Sequence, residues 1–183
     1  QTLSLLDLTL PTLREMTVEQ YQRFKLSVQK LVSADKKMEL HEWIIQRVVL
    51  QHMDEHYGYR RKPVAKYFVL GSAKYASELV LSLLAYLEHK DQSQAQQAFD
   101  SAKQLIGAGA LRCVSRQDIS LESLNNAMDE LEYLKPPLKK RFLQACVACL
   151  AYDGKVTAQA YELCRAIASS LDCPMPPLLV DNK

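Results

Sequence analysis

Two imidazoles one helical turn apart, at His52 and His56, are the nearest this sequence comes to a zinc-binding helix. A hydrolytic zinc site of that kind needs a glutamate directly after the first histidine to activate water, and Met53 stands there. His41 and His89 are the only further imidazoles, so His52-Met53-Asp54-Glu55-His56 reads better as a helix end turned to solvent. Asp35 and Asp153 each stand in a polar turn between helices, where calcium loops also occur. Such loops take oxygen ligands at alternating positions and a distal glutamate, whereas Lys37 and Lys155 stand where a further carboxylate is wanted. Turn formation and capping account for both aspartates more simply. No metal ligand is assigned, and Asp35 and Asp153 are kept as the alternative.

Cys146-x-x-Cys149 has redox-like spacing, but both cysteines share an apolar stripe with Phe142 and Ala145. There a free thiol behaves as a small hydrophobe. Cys173 and Met175 offer two soft donors in a proline-rich tail, too few for a copper site. No glycine-rich phosphate loop occurs, and no serine, histidine and acid can be grouped, so no catalytic residue and no cofactor are assigned to this chain. With 23 basic against 21 acidic side chains the net charge is +2, and no overall field favours nucleic acid. Arg60-Arg61-Lys62 with Lys66, beside Tyr57 and Tyr59, is the most exposed-looking cluster. A solvated connector is the favoured reading, with contact to anionic lipid headgroups or an acidic partner as the other. Lys139-Lys140-Arg141 is a second basic group, at a helix start.

Five cysteines, an odd number with no disulfide-framework spacing, point to a reducing compartment. No apolar run reaches the roughly 20 residues of a spanning helix; the stretch from Val64 to Leu87 is broken by Lys66, Lys74 and Glu78. A soluble piece is expected. The chain opens on Gln1 with neither a basic region nor an apolar signal core after it, which leads to the expectation that something upstream was removed.

The elements that would position these groups are helices, and they repeat. Arg23-Phe24 and Arg141-Phe142, Asp35 and Asp153, Lys37 and Lys155, and Arg47 and Arg165 are each 118 positions apart. Leu6 and Leu124, Leu13 and Leu131, and Trp43 and Tyr161 follow the same shift. Thr17-Val18-Glu19-Gln20 is a capping box, and Pro136 stands near a first helical position. Tyr21, Phe24, Val28, Leu31 and Val32 form one core stripe; Leu138, Phe142, Ala145, Cys146 and Cys149 form another. Gly154 suits a helix C-cap and Thr157 the next N-cap. Ala76, Leu79, Val80, Leu83, Leu84 and Leu87, then Ala95, Ala98, Phe99, Ala102, Leu105 and Ile106, predict a helical pair between the copies, and Ser120 an N-cap. The expected architecture is an all-α helical bundle in one compact domain cut from a longer chain. Its parts are a first repeat over 1–56, a bridging helical pair over 57–119, a second repeat over 120–172 and a proline-rich tail over 173–183.

The helix, Asp-Gly turn and helix from Cys149 to Thr157 and on through Arg165 to Ala168 resemble the TerB-like family, a small helical module also similar to the N-terminal cytoplasmic domain of the co-chaperone DjlA. Over nearly its full length the chain resembles the C-terminal region of a subset of bacterial HtpX-like membrane zinc metallopeptidases. The residues that carry this are Leu6-Asp7, Leu10-Pro11, Leu13-Arg14, Arg23-Phe24, the Asp35 turn with Glu42-Trp43, and Arg141 through the tail at Leu171-Asp172-Cys173-Pro174-Met175-Pro176-Pro177. Lys36 stands where the second copy has Gly154, and Ala160 where the family commonly has a capping glutamate. The resemblance implies a parent whose own His-Glu-x-x-His helix holds zinc, with this chain a non-catalytic accessory or protein-interaction domain on the cytoplasmic side of the inner membrane. Its partners would then be proteins: the parent's catalytic domain, its substrates or membrane-stress partners, with peripheral contact to the membrane surface. The alternative is a TerB-like stress-response or metal-sensing module.

Overall fold

The chain is all-helical. Its computed structural model describes residues 2–34, 40–89, 91–107 and 111–175, and among them there is no strand, only one isolated bridge between Tyr67 and Leu134. The contacts divide the chain into two compact units, Gln1–Lys62 and Pro63–Lys183, where the sequence suggested one domain with a bridging pair. The boundary falls in a non-helical stretch ahead of Pro63, whose ring disfavours helical backbone at Lys62. No helix among the described residues is long and apolar enough to cross a membrane.

The first unit holds α1 (Thr2–Leu13), α2 (Val18–Ala34) and α3 (Leu40–His56). α2 starts where the capping box requires: the Gln20 amide donates to Thr17 Oγ1 at 3.2 Å and the Thr17 amide to Gln20 Oε1 at 2.8 Å. α1 packs on α3. The core is small, with Tyr21, Val49 and Met53 buried and Leu10, Leu13, Phe24, Ile45 and Tyr57 partly buried against them. α3 also buries Trp43, Ile44 and Val48.

The second unit holds α4 (Lys74–Glu88), α5 (Gln92–Ile106), α6 (Leu121–Leu131), α7 (Pro136–Leu150) and α8 (Ala158–Ser170). α4 is its central helix, in contact with each of the other four. The apolar stripe read from the sequence is only part of what α4 buries. Leu81, Ser77, Ser82 and Ala85 are fully buried off that stripe, while Leu83 and Leu87 are half-buried. The 15-residue pair member expected to bridge is therefore a core element. Its buried polar groups are matched by the segment that returns after α5: the Arg112 amide donates to Glu78 Oε1 and the Val114 amide to Ser82 Oγ, both at 2.8 Å.

Helix ends follow the local signals. Ser120 and Ser123 form a reciprocal capping box, Pro136 opens α7, and Gly154, at φ 76°, makes the turn after α7. Thr157 Oγ1 accepts from the Ala160 amide at 3.2 Å. The carboxylate that Ala160 cannot supply comes from Glu88 of α4, which accepts from the Thr157 amide and from Thr157 Oγ1 at 2.9 Å each. α8 ends at Ser170; Cys173 continues without helix, and 176–183 of the expected tail lie outside the described residues.

α2 and α7 begin 118 positions apart, at Val18 and Pro136. Their surroundings differ: α6 packs on α4, whereas α1 packs on α3.

The role of α4 gives a direct prediction. Leu81→Ala should lower unfolding free energy by about 2–5 kcal/mol, the cost of a core cavity, and the half-buried Leu83→Ala by clearly less. Urea unfolding with an unchanged m-value reads the difference, and equal costs would restore the simple stripe.

Candidate functional site

α2 carries Tyr21, Gln22, Lys25 and Leu26 towards the end of α3, and the turn after it brings Tyr57, Tyr59 and Arg60 alongside. Gly58, at φ 75°, makes that turn. The Tyr21 hydroxyl donates to Asp54 Oδ1 at 2.7 Å, and Lys25 Nζ donates to both Asp54 oxygens at 2.7 Å. Tyr57 stacks flat on Tyr21, with ring centres 4.6 Å apart and planes at 13°, and its hydroxyl donates to the Met16 carbonyl. Burial, and then the hydrogen bond to Asp54, push the Tyr21 phenol well above its ordinary range. Tyr21 is therefore a fixed donor and not a base. Arg60 Nη1 donates to Glu55 Oε1 at 3.1 Å, so part of the basic cluster is tied down.

Two apolar depressions flank α2. One, of about 300 Å³, is lined by Gln22, Lys25, Leu26 and Tyr59. Its polar groups are engaged: Gln22 Nε2 donates to the Tyr59 hydroxyl at 2.6 Å, and the Lys25 ammonium lies 5.8 Å from the Tyr59 ring centre. Leu26 and Tyr59 are left 56% and 48% exposed. The other, of about 420 Å³, runs between α2 and α3. Phe24, Val28, Ile45, Val49 and Leu50 line it together with His41, Glu42 and Gln46. His41 Nδ1 is buried there with no hydrogen-bond partner among the described residues. Volumes of this size and apolar walls with few polar groups suit inserted side chains.

The residues singled out by sequence are scattered. Asp35 lies outside the described residues. Asp153 sits in the α7–α8 turn, where Oδ1 accepts from the Lys155 amide at 3.0 Å and Oδ2 is 4.0 Å from Nδ1 of the buried His89. His52 is half-buried, and His56 is exposed with its ring edge-on to Tyr57. Among the described residues no three His, Cys, Asp or Glu side chains converge as a metal site. Cys146, Cys149 and Cys164 are buried, and burial pushes the Cys146 thiol far up and the other two up to about 12. Burial also raises the half-buried Cys173. In the second basic group, Lys139 Nζ donates to the Leu171 carbonyl at 2.9 Å and Arg141 Nε to the Leu105 carbonyl at 2.6 Å. These two cap the C-terminal ends of α8 and α5; Lys140 is exposed.

Sequence reasoning missed the two depressions. The signal was Leu26, an apolar residue off the Tyr21–Phe24–Val28 stripe between Lys25 and Ser27. No family model, no curated protein and no solved structure matches the chain.

Two outcomes follow from this geometry. Tyr21→Phe should cost about 1.5–3 kcal/mol, the range for a hydrogen bond to a charged group, read by chemical denaturation. At pH 8, an aromatic disulfide reagent should modify no more than Cys113 and Cys173 in the native protein and all five thiols in denaturant, since only the thiolate attacks. Fast native labelling of Cys146 or Cys149 would contradict their burial.

Proposed function

We propose that this chain is a non-catalytic protein-interaction module of TerB-like type, the C-terminal accessory domain of an HtpX-like, membrane-anchored zinc metalloendopeptidase on the cytoplasmic side of a bacterial inner membrane. The observation that carries the interaction reading is the apolar groove between α2 and α3, open at the surface and lined also by His41, Glu42 and Gln46. Ile45 and Val49 on α3, and Phe24 and Val28 on α2, each stand four residues apart and so share one helix face. Such walls accept the anchors of an amphipathic helix. The 118-residue spacing of the α2 and α7 starts supports the repeat on which the TerB-like reading rests.

The zinc of such a parent belongs to the parent's own His-Glu-x-x-His helix, and the residues of this chain do not fit it. His52 is followed by Met53, and the two imidazoles have no third ligand among the described residues. The metal-sensing alternative draws on Asp35, which lies outside the described residues, and on Asp153, whose Oδ1 accepts from the Lys155 amide in the turn it forms.

The test pairs this chain with the protein segment encoded upstream of it. A His-Glu-x-x-His between apolar spans is expected there, and its absence removes the proposed parent. With that catalytic domain in detergent, Val28→Arg should weaken association at least tenfold while the helical circular dichroism stays unchanged, and Val28→Leu should leave it intact. In calorimetry, calcium or zinc affinity tighter than about 10⁻⁵ M, the sensor range, would instead favour the metal-sensing module.

A further inference from the structure

The segment that opens the second unit is not a passive connector. Residues 63–67 run without helix beside the α6–α7 link, ahead of a bend at Phe68 and Val69, and are held by backbone. The Lys66 and Tyr67 amides both donate to the Tyr133 carbonyl, at 2.9 and 3.0 Å, and the Tyr67 carbonyl accepts from the Lys135 amide at 3.2 Å. This is one rung of a parallel ladder, with Tyr67 paired to Leu134. Exposure alternates along it as along a strand: Pro63, Ala65 and Tyr67 are half-buried, whereas Val64, Lys66 and Phe68 are exposed.

Tyr67 uses both of its backbone groups on the inner edge, so the Lys66 carbonyl and the Phe68 amide point to the other edge. Among the described residues neither has a hydrogen-bond partner, and nor do the backbone groups of Val64. Backbone groups of this kind require a partner, from water or from another chain. A bridged segment whose inner edge is fixed and whose outer carbonyl and amide are open is a template for strand addition.

The side chains around that edge indicate what would lie on it. Val64 is 85% and Phe68 66% exposed, and they flank Lys66 on one face. The Lys66 ammonium rests 3.8 Å from the Tyr133 ring centre and the Lys135 ammonium 3.7 Å from that of Phe68. Glu130 is the acid that acts on Lys66. Lys135 has no carboxylate partner among the described residues. A facing strand with apolar side chains opposite Val64 and Phe68 and a carboxylate within reach of Lys135 complements this edge.

We propose that the outer edge of Val64–Phe68 is a strand-addition site for an extended peptide in which apolar and acidic side chains alternate. A lipid surface fits less well, because unpaired backbone groups are not tolerated in hydrocarbon. The site is separate from the α2–α3 groove and does not depend on the proposed parent.

The experiment uses the whole chain and a fluorescent, end-blocked heptapeptide alternating valine and glutamate, read by anisotropy. Saturable binding is expected. N-methylation of the peptide amides that face Val64–Phe68 should weaken it at least tenfold, whereas N-methylation of the opposite set should not. The double variant Lys66→Glu, Lys135→Glu should lose the glutamate peptide and gain its lysine counterpart, with circular dichroism unchanged. Three results would overturn the proposal: no binding up to millimolar peptide, equal binding of both N-methylated forms, or a preference for anionic phosphatidylserine vesicles that Phe68→Ala abolishes while peptide binding is absent.

Discussion

The second unit depends on the burial of α4 from nearly every side. A helix buried all round gains apolar contact from Leu79, Val80, Leu81 and Leu84, but it also takes Ser77, Glu78 and Ser82 out of water. Each of those groups has a partner. Ser77 Oγ donates back to the Ala73 carbonyl at 2.8 Å, and Glu78 and Ser82 accept the amides of the segment that returns after α5. Pairing them fixes the path of residues 111–114, and with it the start of α6. In the last turn of the helix, Glu88 sets the start of α8 through Thr157. One helix thus supplies both the core and the acceptors that register its neighbours.

The first unit has no such element. Its three helices meet around Tyr21, which is fully buried and joined to α3 by Asp54. A unit this small encloses too little surface to cover all its apolar side chains. Phe24, Val28, Ile45 and Leu50 remain only partly buried, and the depressions beside α2 are the consequence. The ion pair between Lys25 and Asp54 is partly shielded, with side-chain exposures of 30% and 17%. Together with the stacked tyrosines it ties the end of α3 to α2.

What could be read from the sequence was what acts over three or four residues. The Thr17–Gln20 box, Ser120, Pro136, Gly154 and Thr157 each mark a helix end because the partner lies within one turn. The all-α class followed from periodicity. The central place of α4 did not, since a stripe at helical spacing shows one buried face and Leu81 and Ser82 lie off it. Nor could the sequence join Glu88 to Thr157, 69 positions away, or Lys66 to Tyr133. Those contacts depend on tertiary packing. The same limit applies to the surface: His52, Asp153 and Cys146 could be placed in a helix end, a turn and a core stripe, while the depressions beside α2 are lined by residues that form no motif.

The helix starts shared at a spacing of 118 residues sharpen this contrast. α2 and α7 begin at matching positions, yet α7 is packed between α4, α5 and α8 while α2 has a depression on either side. In the second unit α4 and α5 cover α7; among its described residues the first unit has no equivalent pair over α2. Phe24 and Val28 stand 118 positions before Phe142 and Cys146, which are both fully buried. The same spacing of apolar side chains thus makes core where two more helices cover it, and the wall of a surface depression where none does.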